Sequence, residues 1–204
     1  MNEQNIAEFE KLLSSCKRDG IDKLLKYIRK SDFYTAPAST RYHSCHEGGL
    51  LEHSLNVYKC LSAKANDGIW CYQLKDVDEE SIIICSLLHD LCKTSFYTTE
   101  VKNRKVYHEN GKKIDNNGAY DWESYNAYTV NDLFPYGHGE KSVEIIEHFI
   151  KLSTNEKLAI RWHMGFSEPK ESWNTLTTAI RKNPLVLALY SADLESTYLL
   201  EKDE

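Results

Sequence analysis

The doublet His89-Asp90 closes an apolar run, residues 82–88, and Lys93 follows three residues later. An imidazole and a carboxylate at the end of a buried helix are costly unless something satisfies them. A divalent metal ion does so, because it takes both a neutral imidazole nitrogen and a carboxylate oxygen. Four further positions place ligand-type side chains on core-facing or tightly bounded sites: His53, His138 between two glycines, His163 after Arg161-Trp162, and Asp193. Each also has an ordinary reading. A histidine on an apolar stripe serves as a hydrogen-bonded core residue, and an inward aspartate pairs with arginine or lysine. His138 reads equally as a turn residue, and His163 as a helix-terminal histidine favoured by the dipole. His46, His108 and His148 lack such contexts and read as surface or supporting residues.

The elements that must carry these residues are mostly helical. Residues 1–34 read as two short helices, with Ile6, Phe9, Leu12 and Leu13 at helical spacing, a break at Gly20, and Ile21, Leu24, Leu25 and Ile28 resuming it. Residues 35–40 form a loop. A helix over about 49–65 carries the stripe Leu50, His53, Val57 and Leu61, which points His53 at the core. Asp78-Glu79-Glu80 opens a helix that runs to about Leu91 and is apolar on nearly every face, so it is the expected central element. Residues from about 95 to 136 are rich in Tyr, Thr, Asn, Gly and Lys and read as a small β-hairpin or irregular insertion. Helices resume at about 140, 155–164 and 171–181. Asn183-Pro184 caps and starts the last one, with Val186, Leu189, Tyr190, Asp193 and Thr197 on one stripe. The expected fold is all-α with that one insertion, in a single domain over 1–204.

Composition narrows the function classes. The net charge of -6 disfavours long nucleic acid, whose affinity comes mostly from neutralised phosphates. No apolar stretch approaches the roughly 20 residues of a membrane span, and the polar first ten residues do not form a signal peptide. Six cysteines without a C-x-x-C pair read as reduced thiols of a cytoplasmic protein, not as a disulfide framework or a cysteine zinc site.

The order histidine (His53), His-Asp doublet (His89-Asp90), distant aspartate (Asp193) resembles the HD superfamily of metal-dependent phosphohydrolases. The flanks sharpen the likeness. The string from His43 to His53 is similar to the segment before the first ligand in the HD domain of bacterial 3'-to-5' exoribonucleases that join an OB-fold to an HD domain. Leu88-His89-Asp90-Leu91-Cys92-Lys93 is similar to the common HD-x-x-K form, and His138 and His163 stand where those relatives and the HD-GYP phosphodiesterases carry further histidines. The resemblance covers about 41–199. It departs at Met164, where two-metal relatives carry a second histidine; a thioether poorly suits hard ions, so one ion is favoured over two. It departs again in lacking the OB-fold.

The resemblance implies a divalent ion (Mn, Fe, Ni, Co, Zn or Mg) held by His53, His89, Asp90 and Asp193, with Asp90, His138 and His163 as the second site where two are held. Asp90 then bridges or orients water. Lys93, His138 and His163 contact the phosphate or move protons. Arg41, His43 and Lys141 are further candidates for phosphate contacts, with a solvated surface charge as the alternative for Arg41 and Lys141. The implied partner is a small phosphorylated substrate, a nucleotide or short oligonucleotide. The insertion's aromatics either stack on a base or pack a satellite core. The competing expectation is a catalytically weak HD domain that binds a nucleotide in a regulatory or scaffolding role.

Overall fold

The computed structural model describes residues 3–41 and 44–201. Among them, nine α-helices build a main apolar core and a smaller cluster of Trp162, Leu176, Ala179 and Val186, and a three-stranded antiparallel sheet adds to them. The two N-terminal helices, α1 (Glu3–Ser15) and α2 (Ile21–Lys30), bury Phe9, Leu13, Leu24, Leu25 and Ile28. They are separated at Gly20, whose φ of 97° suits a residue without a Cβ. The helix α3 (Gly49–Ala65) buries Leu50, His53, Val57 and Leu61 on one stripe, as its periodicity requires. A short α4 (Gly68–Gln73) follows.

The central helix α5 (Glu79–Leu88) starts at Asp78, whose side chain accepts from the Ser81 amide. Every residue from Ser81 to Leu88 is buried. It ends three residues earlier than its hydrophobicity suggests, and the chain tightens into a 3-10 turn, Leu91–Lys93. Asp90 lies between them at φ -104°, ψ 19°, the sparsely populated bridge region where many active-site residues sit.

The segment at 95–136 is a long hairpin. Strand β1 (Tyr97–Tyr107) pairs along its whole length with β3 (Gly118–Val130), from Tyr97 opposite Val130 to Tyr107 opposite Tyr120. The short β2 (Lys113–Asp115) adds to the other edge of β3 near the tip. Eleven strand residues reach about 35 Å. Four helices complete the body: α6 (His138–Glu147), α7 (Thr154–Arg161), α8 (Trp173–Lys182) and α9 (Pro184–Glu195). Asn183 caps α9 by accepting from the Leu185 amide, and a π-helical turn, Ser196–Leu200, ends the described chain. The fold is mostly helical with a small sheet, and no described helix is long and apolar enough to cross a membrane. All six cysteines are free thiols.

Candidate metal centre

Five chain segments deliver side chains to one buried point. α3 supplies His53, and the end of α5 supplies His89 and Asp90. The first residue of α6 is His138; His163 follows the end of α7, and Asp193 lies in the last turn of α9. The rings of His53, His89, His163 and His138 form an arc, with successive centroids 5.3, 4.9 and 5.2 Å apart. The contact between α6 and α7 that closes this arc depends on Gly139. A Cβ there would lie 2.2 Å from the Arg161 carbonyl oxygen.

Asp90 sits inside the arc and presents an oxygen to each end. Oδ2 lies 3.7 Å from His53 Nε2, 3.5 Å from His89 Nε2 and 2.7 Å from Lys93 Nζ. Oδ1 lies 2.8 Å from His138 Nε2 and 3.4 Å from His163 Nε2. Burial alone would raise the Asp90 pKa, but the Lys93 ammonium and the imidazoles outweigh it and hold the carboxyl well below its usual range. Asp193 Oδ1 approaches His53 Nε2 at 3.2 Å, and His53 likewise lowers the pKa of that carboxyl against its burial.

The donor set fits a divalent ion on three observations. His89 Nδ1 donates to the Ser86 carbonyl at 2.8 Å and His163 Nδ1 to the Ile160 carbonyl at 2.6 Å, which leaves each Nε2 as the lone-pair nitrogen. His53 Nδ1 donates to the Glu201 carboxylate at 3.0 Å, so the Nε2 atoms of His53 and His89 face each other 3.3 Å apart, a spacing two ligands of one ion can share. His163 Nε2 is buried without a hydrogen-bond partner, a cost that a ligand would remove. Ligand atoms of His53, His89 and Asp90, of His89, His163 and Asp193, and of Asp90, Cys92 and His138 each lie within 4.8 Å of one another.

Two of these participants are not evident in the sequence. Glu201 reads as part of an acidic tail, yet its side chain is 1% exposed and accepts from His53, Ser44 at 3.0 Å, Asn56 at 3.2 Å and Ser196. Those donors lower its pKa to about 2 although burial opposes them. Carboxylate-to-histidine contacts of this kind orient metal-bound imidazoles. Cys92 looks like one more helical thiol; its position two residues after Asp90 is the only hint.

A cavity of about 860 Å³ opens onto the centre, and His53, Asp90, Lys93, His138, Asp193 and Glu201 all reach its wall. Lys93 Nζ also donates to the Ala38 carbonyl at 2.7 Å, which holds the ammonium at the edge. Met164 lines the same cavity. The remaining expected phosphate contacts are Arg41, His43 and Lys141. Arg41 is exposed beside the wall residue Thr40, and His43 lies outside the described residues. Lys141 is not a solvated charge: it is 8% exposed, bonded to Asp132 at 2.6 Å and set over the Phe96 ring, off the cavity wall. Of the hairpin, Tyr97 and Val130 at its base reach the cavity; Tyr107, Tyr120 and Trp122 pack together near the tip with Lys105.

No family model and no solved structure matches the chain. A curated protein, dihydroneopterin 2',3'-cyclic phosphate phosphodiesterase of Methanocaldococcus jannaschii, is 39% identical over 62 residues. That stretch is 30% of this chain and 24% of the relative, about a quarter of the relative's length. The likeness is confined to that stretch, and the buried His/Asp cluster could hold a metal ion.

Proposed function

We propose that the chain is an HD-type phosphohydrolase that cleaves a phosphomonoester or phosphodiester bond of a nucleotide or nucleotide-like small molecule. The observation that carries this reading is the convergence of His53, Asp90 and Asp193 beside Lys93 on the wall of one cavity, with His89 grouped with His53 and Asp90. The ion they would hold supplies a Lewis acid that screens phosphoryl charge and acidifies water. Lys93 would donate to a phosphoryl oxygen from its place at the cavity edge. His138 has two roles, set by the number of ions held. With one ion it is the proton donor to the leaving oxygen, since Asp90 and Cys92 raise its pKa to about 9 against its burial. With two it is a ligand.

The wall favours a small substrate. Lys93 is the one lysine or arginine among its described lining residues, and Tyr97, Met164, Tyr190, Leu194 and Tyr198 make much of the rest apolar or aromatic. One cation suits one phosphate, and aromatic faces suit a planar ring. The relative's name specifies a 2',3'-cyclic phosphate, which makes cyclic phosphodiesters the first compounds to try.

The test is turnover with Mn or Co of nucleoside 2',3'-cyclic phosphates, nucleoside mono- and triphosphates, cyclic dinucleotides and short oligonucleotides. Metal-dependent release of phosphate, or opening of a cyclic ester, that is lost in Lys93→Ala supports the reading. Metal-loaded protein that binds a nucleotide tightly and turns over none of the panel replaces it with the regulatory reading.

A further inference from the structure

Asp90 Oδ1 looks away from the His53–His89 side, toward His138 and His163. On that side lies a side chain whose only part in the reading above is to help raise the His138 pKa. The Cys92 Sγ, 2% exposed, is 3.4 Å from His138 Nδ1 and 3.7 Å from its Nε2. The 3-10 turn that follows Asp90 puts the thiol there, and its backbone amide donates to Ser142 Oγ at 3.1 Å, tying the turn to the helix that begins with His138. A second observation points to a ligand at the same place: the orphaned His163 Nε2 is 3.4 Å from the same Asp90 oxygen. At ordinary zinc bond lengths and tetrahedral angles, a sulfur and a nitrogen on one ion stand about 3.6 Å apart, and a nitrogen and an oxygen about 3.4 Å. The Cys92–His138 Nε2 and His163–Asp90 distances match, and His138 Nε2 and Asp90 Oδ1, hydrogen-bonded at 2.8 Å, would separate as an ion enters.

We propose that Cys92 is a metal ligand: with His138, His163 and Asp90 Oδ1 it forms a second cation position that prefers a thiophilic borderline ion such as Zn or Co. The thiol gives its proton to solvent as the sulfur binds, and Asp90 bridges the two positions. Met164 in place of a histidine then leaves no shortage, because the fourth donor comes from the turn after the doublet. A thiolate distinguishes this position from the nitrogen-and-oxygen position beside it, so the two would select different ions. The proposal rests on the metal-dependent reading of the same centre.

Anaerobic titration of the metal-free chain with cobalt(II), followed by absorption, tests it. Two equivalents are expected to bind, with a near-ultraviolet thiolate-to-cobalt charge-transfer band. Cys92→Ser is expected to lose that band while keeping the visible d–d absorption of the first equivalent. Two bound equivalents without the band, a band that survives Cys92→Ser, or uptake of a single equivalent would each overturn the thiolate position and leave the first site standing. No cobalt uptake at all would overturn the metal-dependent reading along with it.

Discussion

Two buried carboxylates in this molecule stand in opposite conditions. Glu156 is 0% exposed, and the protein answers it fully. Arg18 grips both oxygens at 2.7 and 2.6 Å, Ser81 donates at 2.7 Å, and the Ser153 amide donates in return as part of a capping box that starts α7. Asp90 is 2% exposed but lies beside a group the protein leaves short, the buried His163 Nε2 without a hydrogen-bond partner. The first arrangement is closed and ties the α1–α2 loop, α5 and α7 together. The second is open to a cation. Burial of a charge alone therefore does not mark a functional site; what marks it is burial with donors left over.

The comparison predicts opposite phenotypes. Glu156→Ala removes the bidentate partner of the Arg18 guanidinium, which keeps Glu80 at 3.4 Å and the Lys151 carbonyl at 3.3 Å. The expected loss is about 3 kcal/mol, the low end for a broken buried pair because Arg18 keeps 20% exposure. Metal stoichiometry should stay at the wild-type value. Denaturant unfolding and elemental analysis of the same preparation check both halves, and a Glu156→Ala protein that folds but has lost its metal would break the distinction.

Removing the ion should act only on the Asp90 side. A cation that binds the folded chain at 100 times its Kd stabilises it by about 2.7 kcal/mol. Chelation should therefore lower the melting temperature of wild-type protein and of Glu156→Ala alike, and leave that of Asp90→Asn unchanged. A chelator effect that persists in Asp90→Asn would place the ion elsewhere.

This contrast also explains what could be read from the sequence. His53 and Asp193 were legible because each interrupts an apolar helical stripe, a local pattern of period 3.6, and His89 because it closes an apolar run. The α9 cap at Asn183 was legible from its proline. Glu201 was not, because the chain after the last helix carries no period, and only the fold shows that Ser44, Asn56 and His53 meet there. The end of α5 was placed late for a related reason. Leu91 continues the apolar run, but the turn after Asp90 is fixed by where α6 packs, through the Cys92 amide and Ser142. The hairpin showed its turn residues but not its length, since strand pairing over eleven residues is a non-local fact.

A smaller effect separates the ligands from their support. Glu201 would touch no ion; it holds the ring that does. Glu201→Gln keeps size and one acceptor but loses the charge that fixes His53 Nδ1 as the donor. Metal affinity should fall about 10–100-fold, as for other carboxylates behind a ligating histidine. A competition titration against a chromophoric chelator measures it, and unchanged affinity would make Glu201 a second closed carboxylate like Glu156.

The finest test uses the proton that stands in for the ion. Burial would lower the His53 pKa from 6.5, but the Asp193 and Glu201 carboxylates outweigh it and raise it to about 10. At neutral pH the metal-free protein thus holds a proton on His53, and an entering ion must expel it. Apparent affinity should rise about tenfold per pH unit for that one proton, flattening near pH 10. The sign for stability follows. A raised pKa contributes stability that is whole below 6.5 and is lost as pH rises through about 10, so the metal-free protein weakens across that window. The loaded protein carries no such proton, so the gap in melting temperature between loaded and metal-free forms should widen with pH. Calorimetry in buffers of different ionisation enthalpy counts the protons released. A count of zero, or a gap that narrows with pH, would mean that the cation does not occupy the place this proton holds.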